Sequence, residues 1–463
     1  MTVAATNPFL NGVFKAQHEE ILLTGLDVSG EIPRELNGCF LRNGPNPQFV
    51  WSDNYHMYSG DGMLHALSLV DGRASYLNRF IRTPRFMCEK EQGRAVFPGM
   101  RDALAVDPAF GHVPPFTANT HVLKHAGRLL ALNEGSMPFV VTNPATGEGT
   151  LDNFGGTVKM TFTAHPKLDP RTGELHGFSY ITPNGMIDYL MLNPAGVAKS
   201  IASFRPPYRA LMHDFAITQH YAVFPIYPLT WSMERVQRGE RLYKWEPELG
   251  SYYYVLDRNN GEVVRVFRDS ATLGMHTVNA YEKQGRIILD MVMMDDLPEG
   301  ARAFEDDSIT YLNSLNRVTL DLESGTLQRE RLSHLNVEFP RIDERWSAAP
   351  YRYCYLASTV NDRLPQYLFD SLSRFDHRTG QMETYRPEHD VLFGEPVFVP
   401  VGEHEGEGYL LSYGYDQDHD KSDLWILDAM NIADGPVARI HIPQRVPYGF
   451  HGSWINDWSP DFA

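Results

Sequence analysis

The sequence predicts an all-β protein of the propeller type, and three observations carry that prediction. One hairpin pattern recurs from end to end, no amphipathic helices separate its copies, and turn-forming residues are plentiful. The unit is a pair of alternating apolar strands around a short polar turn that holds a glycine. It reads Leu67-Ser-Leu-Val-Asp-Gly-Arg-Ala-Ser-Tyr76, and returns at Tyr253–Phe267, Val318–Leu327 and Leu372–Met382, with a weaker copy at Lys167–Leu175. The strands keep a period of two and the glycine supplies a positive φ. Recurrence across more than 300 residues favours radial repetition over a single sandwich.

Composition agrees. Of 463 residues 43% are hydrophobic and 21% charged, which is globular, and 37 glycines with 31 prolines supply the turns. No Gly/Ser tract or charge block interrupts the chain, so residues 1–463 are expected to form a single domain. Seven blades would take about 66 residues each, more than the ~40–45 of a minimal blade. The surplus is expected in long loops that form a loop and helix dome on one face. Two segments suit that role: Arg85–Phe116, with a short helix near Cys88–Arg94, and Tyr227–Gly250, with a helical turn within Trp231–Gly239.

The net charge of −17 opposes binding to nucleic acid or to an anionic membrane surface, and leaves a neutral, apolar substrate untouched. Cys39, Cys88 and Cys354 are scattered, which argues against a disulfide framework or a thiolate metal site. No apolar run is long enough to span a bilayer and no signal-like segment opens the chain. The expectation is a cytoplasmic protein without an integral membrane segment, a composition still compatible with peripheral membrane contact through an apolar loop.

Most of the 18 histidines sit in polar turns, as His377 and His419 do. Four differ: His165, His213, His276 and His451 are flanked by apolar or small residues near apparent strand ends. Singly, each is more often a core histidine than a metal ligand, and their spacings match no local motif such as HExxH. A propeller changes that reading, because the innermost strand of every blade approaches one axis. Glu134, Glu338 and Glu395 form a second set in apolar surroundings. A buried carboxylate needs a donor. It finds one in backbone amides or an arginine, as Arg341 near Glu338 offers, or in the Nδ1–H of an imidazole whose Nε2 then faces a metal.

Longer motifs add to this. Gly38-Cys-Phe-Leu-Arg-Asn-Gly-Pro-Asn-Pro47, Ser59-Gly-Asp-Gly-Met-Leu-His65, Asn119-Thr120, His125–Leu132 and Ala164-His-Pro166 come first. Met212-His-Asp-Phe215, Met275-His276, Glu338-Phe-Pro-Arg341, Gly394–Pro400 and Gly449-Phe-His-Gly452 follow. Across these segments the chain resembles the carotenoid cleavage oxygenase family from end to end. The resemblance implies a seven-bladed propeller with non-haem Fe(2+) on its axis, held by the four histidines, three of them supported by the three glutamates. It also places Thr120 beside the iron, its methyl narrowing one coordination position. The implied reaction adds both atoms of O2 across one C=C of an apolar conjugated alkene and yields two carbonyl products.

Relatives divide between carotenoids or apocarotenoids and phenolic stilbenes or phenylpropenes. The phenolic group grips its substrate with a Tyr and a Lys. Asn133 stands where the Lys would be, and Met100 where the Tyr is expected. Loss of an ammonium that stabilises a phenolate favours the carotenoid or apocarotenoid class. Lys244-Trp-Glu-Pro-Glu-Leu-Gly250 suits bacterial members of either group. Met100, Asn133 and Met275 are the expected substrate-lining residues. A metal-free interaction scaffold and a metal-dependent hydrolase or lyase are the competing readings.

Overall fold

Strand after strand ends in the same local chemistry. In the computed structural model, which describes residues 7–99, 102, 105–295, 312–365 and 367–460, Asp169, Asp257, Asp321 and Asp376 each close a strand. Each side chain accepts the N–H two residues on: Arg171 at 3.0 Å, Asn259 at 2.8 Å, Glu323 at 3.1 Å and Arg378 at 2.9 Å. Each backbone carbonyl accepts the N–H of the glycine four residues on, at 2.8 to 2.9 Å. Those glycines, Gly173, Gly261, Gly325 and Gly380, have φ of +70° to +75°, which a side chain rarely tolerates. The recurring turn is therefore Asp-x-x-x-Gly. The first copy differs: Asp71 and Gly72 both have positive φ (+49° and +72°), the pattern of a tight two-residue hairpin.

These turns build seven sheets of four or more strands among the described residues, every ladder antiparallel, and the fold class is the seven-bladed β-propeller. The chain divides into two compact units. The first comprises 1–164, 387–401 and 408–463 and holds three sheets. One runs Leu22–Thr24, Arg73–Phe80, Asp61–Val70, Gly38–Asn46, Gly452–Asn456, so a late strand completes an early sheet. The second runs from His121–His125 through Arg128–Leu132 and Phe139–Asn143 to Glu148–Leu151. In the third, Gly408–Asp416 pairs with Lys421–Asp428 on one side, and with Val391–Phe393 and Val397–Pro400 on the other.

Alternation along Gly38–Asn46 shows how this unit packs. Phe40 joins Leu67, Tyr76, Leu411 and Ile426 in one core, while Cys39 and Leu41 point the other way, into a core with Ala66, Val122 and Phe139. Period-two side chains thus glue one sheet to two neighbours.

The second unit comprises 165–386 and 402–407 and holds four sheets, whose first strands are Lys167–Asp169, Ala216–Ile217, Leu273–Lys283 and Asn336–Arg341. A ribbon pairs Leu229–Trp231 with Tyr243–Trp245. Two α-helices are present among the described residues. Pro84–Gln92 starts earlier than expected because Thr83 caps it, accepting from Phe86 N; Met233–Gln237 is capped by Ser232. All three cysteines are free, and no described helix is long and apolar enough to cross a membrane.

Arg258 locks neighbouring turns of the second unit together. Its Nη1 donates to Asp169 at 2.9 Å and to Thr218 O at 2.6 Å, and its Nη2 lies 2.8 Å from His176 Nε2. Burial and the guanidinium push the His176 pKa down to about 3, so the imidazole is a neutral acceptor that takes this N–H. Arg258→Met should cost about 1–3 kcal/mol in urea unfolding, since it leaves His176 Nε2 and Thr218 O without this donor while Arg171 still pairs with Asp169. A loss below about 1 kcal/mol would show that the network contributes little.

Candidate metal centre

Three of the four singled-out histidines lie at the start of successive sheets of the second unit. His165 immediately precedes Lys167–Asp169, His213 precedes Ala216–Ile217, and His276 lies within Leu273–Lys283. His165 and His276 are buried and His213 is half-buried. Their rings meet edge to face, with centroids 4.4, 5.0 and 4.9 Å apart. His165 Nε2 stands 3.0 Å from His213 Nε2, which stands 3.2 Å from His276 Nε2.

Glu338 decides what those nitrogens are. Its Oε2 lies 2.5 Å from His276 Nδ1 and also accepts Phe339 N at 2.6 Å. A carboxylate takes a proton there, so His276 carries its hydrogen on Nδ1 and presents a bare lone pair at Nε2. His213 Nε2 has at most one proton to share between two neighbours, so hydrogen bonding accounts for one of the two contacts and not both. A cation accepting all three lone pairs accounts for both. Neutral imidazole nitrogens suit divalent transition ions such as iron, zinc or copper, so the donor set fits a metal.

The backbone is bent to serve this site. The strand Asn336–Arg341 loses register with Tyr353–Thr359 between Glu338 and Arg341, and Phe339 has φ +51°, rare for an aromatic residue. Its ring lies 5.8 Å from that of His276 and 5.8 Å from that of Phe369, an apolar backing for the imidazole. Arg341, the alternative partner for Glu338, instead pairs with Glu344.

Asp214 was not singled out by sequence, and it is central to this unit. It is buried and accepts from Thr277 N at 2.7 Å, Thr277 Oγ1 at 2.8 Å, Phe215 N at 2.8 Å and Lys167 Nζ at 2.7 Å. Burial works to raise its pKa, but Lys167 and the other donors hold it below the usual carboxylate value. The signal was present as an acid directly after a histidine in an apolar stretch.

In the first unit His451 is prepared in the same manner. Its Nδ1 lies 2.9 Å from Glu395 Oε1, whose other oxygen accepts Gly452 N at 2.8 Å. His451 N donates to Thr120 O at 3.0 Å, so Thr120 sits beside this histidine. The Thr120 hydroxyl donates to Asn119 at 3.0 Å. The Asn133 amide donates to Asn119 Oδ1 at 2.7 Å and Thr120 Oγ1 at 3.2 Å, so its donors face these neighbours. Glu134 is half-buried in the turn that follows Arg128–Leu132, and Met275 is half-buried next to His276. Met100 lies outside the described residues.

Arg42 also escaped the sequence reading. It donates to Pro447 O at 2.8 Å, and a Cβ on Gly449 would meet its guanidinium at 2.3 Å, so the segment leading to His451 lies directly on it.

Residues 14–456 match the family model described as retinal pigment epithelial membrane protein. Isoeugenol monooxygenase of Pseudomonas putida is 34% identical, over 98% of this chain and 99% of that protein. Carotenoid cleavage oxygenase of Mycobacterium tuberculosis is 32% identical over 97% of both. The crystal structure of Pseudomonas brassicacearum lignostilbene dioxygenase superposes with a TM-score of 0.89 at 31% identity, covering 97% of this chain and 99% of that one.

Glu338→Gln, which keeps the shape and removes the charge, should weaken divalent-metal affinity about 10–100-fold in a chelator competition while the urea midpoint moves little. An unchanged affinity would leave Glu338 a structural carboxylate only.

Proposed function

The chain belongs to the carotenoid cleavage oxygenase family, and on that premise we propose that it is an iron(II)-dependent dioxygenase that splits a conjugated C=C with O2 into two carbonyl products. The proposed ligands are His165, His213 and His276 of the second unit, whose Nε2 atoms stand 3.0 Å (His165 to His213) and 3.2 Å (His213 to His276) apart, and His451 of the first. Glu338 and Glu395 support two of them through Nδ1, and we assign Glu134 the same task for a third. Residues 1–463 act in this reading as one propeller domain. The observation that carries it is the Glu338–His276 contact, which turns an Nε2 lone pair toward two other imidazoles.

Four neutral ligands leave Fe(II) its full charge, which the carboxylates balance from the outer side of the imidazoles. Iron, when bound, supplies the site at which O2 is taken up and activated. This chain's residues hold and orient. Glu338 and Glu395 fix tautomer and ring direction, Phe339 backs His276 with an apolar face, and Thr120 is anchored to His451 through its carbonyl. With no charged group on Thr120 or Phe339, these neighbours suit an apolar alkene.

For the substrate we favour a carotenoid or apocarotenoid, with Met275 and Asn133 at the substrate side. Asn133 brings no charge, and its amide is turned to Asn119 and Thr120, which leaves a phenolate without an ammonium at this position. A second reading, a phenolic stilbene or phenylpropene, draws on relatives named isoeugenol monooxygenase and lignostilbene dioxygenase. Identities of 34% and 32% are too close to choose between the classes.

Elemental analysis should find one iron per chain, lost in His276→Ala; a metal-free wild type that folds normally would favour an interaction scaffold. With oxygen-18 gas, both carbonyl products should carry label from O2. Label entering from water in both would instead mark a hydrolase. Product masses from a panel of apocarotenals, stilbenes and isoeugenol should show apocarotenal cleavage, and turnover of the phenolic alkenes alone would move the assignment to the second reading.

A further inference from the structure

We propose that Asp214 is a positioning residue that sets the spacing of the imidazoles of His165, His213 and His276, by tying the three chain segments that carry them to one carboxylate. The proposal rests on the reading of those histidines as metal ligands. It adds a residue that touches neither metal nor imidazole.

Each donor to Asp214 lies within two residues of a histidine. Lys167 Nζ, 2.7 Å away, belongs to the strand that His165 introduces. Phe215 N, at 2.8 Å, continues the segment that begins at His213. Thr277 N and Oγ1, at 2.7 and 2.8 Å, follow His276 directly. All four donors reach one side chain that is 7% exposed.

The strand Leu273–Lys283 explains why such a tie is needed. Its pairing with Arg286–Asp295 shifts register on both sides of Thr277, between Gly274 and Thr277 and again between Thr277 and Asn279. In a regular ladder the neighbouring strand would fix the height of His276. Where the register breaks, the Thr277 N–H is bonded to Asp214 instead, and the Thr277 hydroxyl bridges Asp214 and Phe215 O at 3.0 Å. The height of His276 is therefore measured from the His213 segment. Lys167 adds the third segment. Metal sites hold their donors to about 0.5 Å, so a slack in this tie translates directly into a misplaced nitrogen.

The experiment is a cobalt(II) titration of the full chain after chelator treatment, read by visible ligand-field bands, in wild type and in Asp214→Asn, Lys167→Met and Thr277→Val, with urea unfolding alongside. Wild type should bind one cobalt. Asp214→Asn should bind about 10–100-fold more weakly, with shifted bands. Lys167→Met and Thr277→Val keep the carboxylate, and should show smaller shifts in the same direction even if Asp214→Asn does not fold. Variants that lose stability but keep wild-type affinity and bands would overturn the positioning role and leave Asp214 a structural carboxylate. A wild type that takes up no stoichiometric cobalt would overturn the metal reading itself, a different failure, and this proposal with it.

Discussion

In the proposed metal centre everything follows from one awkward requirement: nitrogen lone pairs must be made to face one another. Three Nε2 atoms 3.0 and 3.2 Å apart cannot satisfy both contacts by hydrogen bonding, since His213 Nε2 serves only one, whereas a positive charge among them satisfies both. Protein groups must therefore act from behind. Glu338 on His276 and Glu395 on His451 do so by claiming the Nδ1 proton, which leaves each Nε2 a lone pair. The same carboxylates also accept backbone amides, Phe339 N and Gly452 N, so the group that fixes the ring also fixes the strand.

The sheets yield where this requirement is met. Regular antiparallel pairing is broken beside His276 and beside Glu338, and Phe339 adopts a left-handed backbone that costs of order 1–3 kcal/mol. Elsewhere in the second unit four turns follow one local rule, Asp-x-x-x-Gly, with Arg258 joining two of them. The breaks beside His276 and Glu338 are those that bear on the histidines. Local breaks of this kind are what a rigid scaffold carrying a demanding site requires.

The hairpins were legible because their information is local: an aspartate and a glycine four residues apart specify the turn without help from the rest of the chain. The helices were legible in kind, but Pro84–Gln92 began earlier than expected because Thr83 is a better cap than anything nearer Cys88. The four histidines could not be chosen from 18 by spacing, since the meeting of His165, His213 and His276 depends on sheets separated by dozens of residues; resemblance chose them. Asp214 and Arg42 stayed hidden for the same reason. Their partners, Thr277 and Pro447, lie 63 and 405 residues away, and neither residue type advertises a role alone. Glu338 was left with two partners at the sequence level, and the register break separates them by sending Arg341 to Glu344.

The strand Gly452–Asn456 pairs with Gly38–Asn46, and His451 stands at its threshold. Gly38–Asn46 is made hundreds of residues before the partner of its outer edge. Until then it offers unpaired amides and a flank of Cys39 and Leu41 to any passing chain. Pairings this distant in sequence are slow to form. His451 therefore takes its place beside Thr120 only when this strand pairs. Completion of the sheet and placement of this imidazole are one event in the life of the polypeptide.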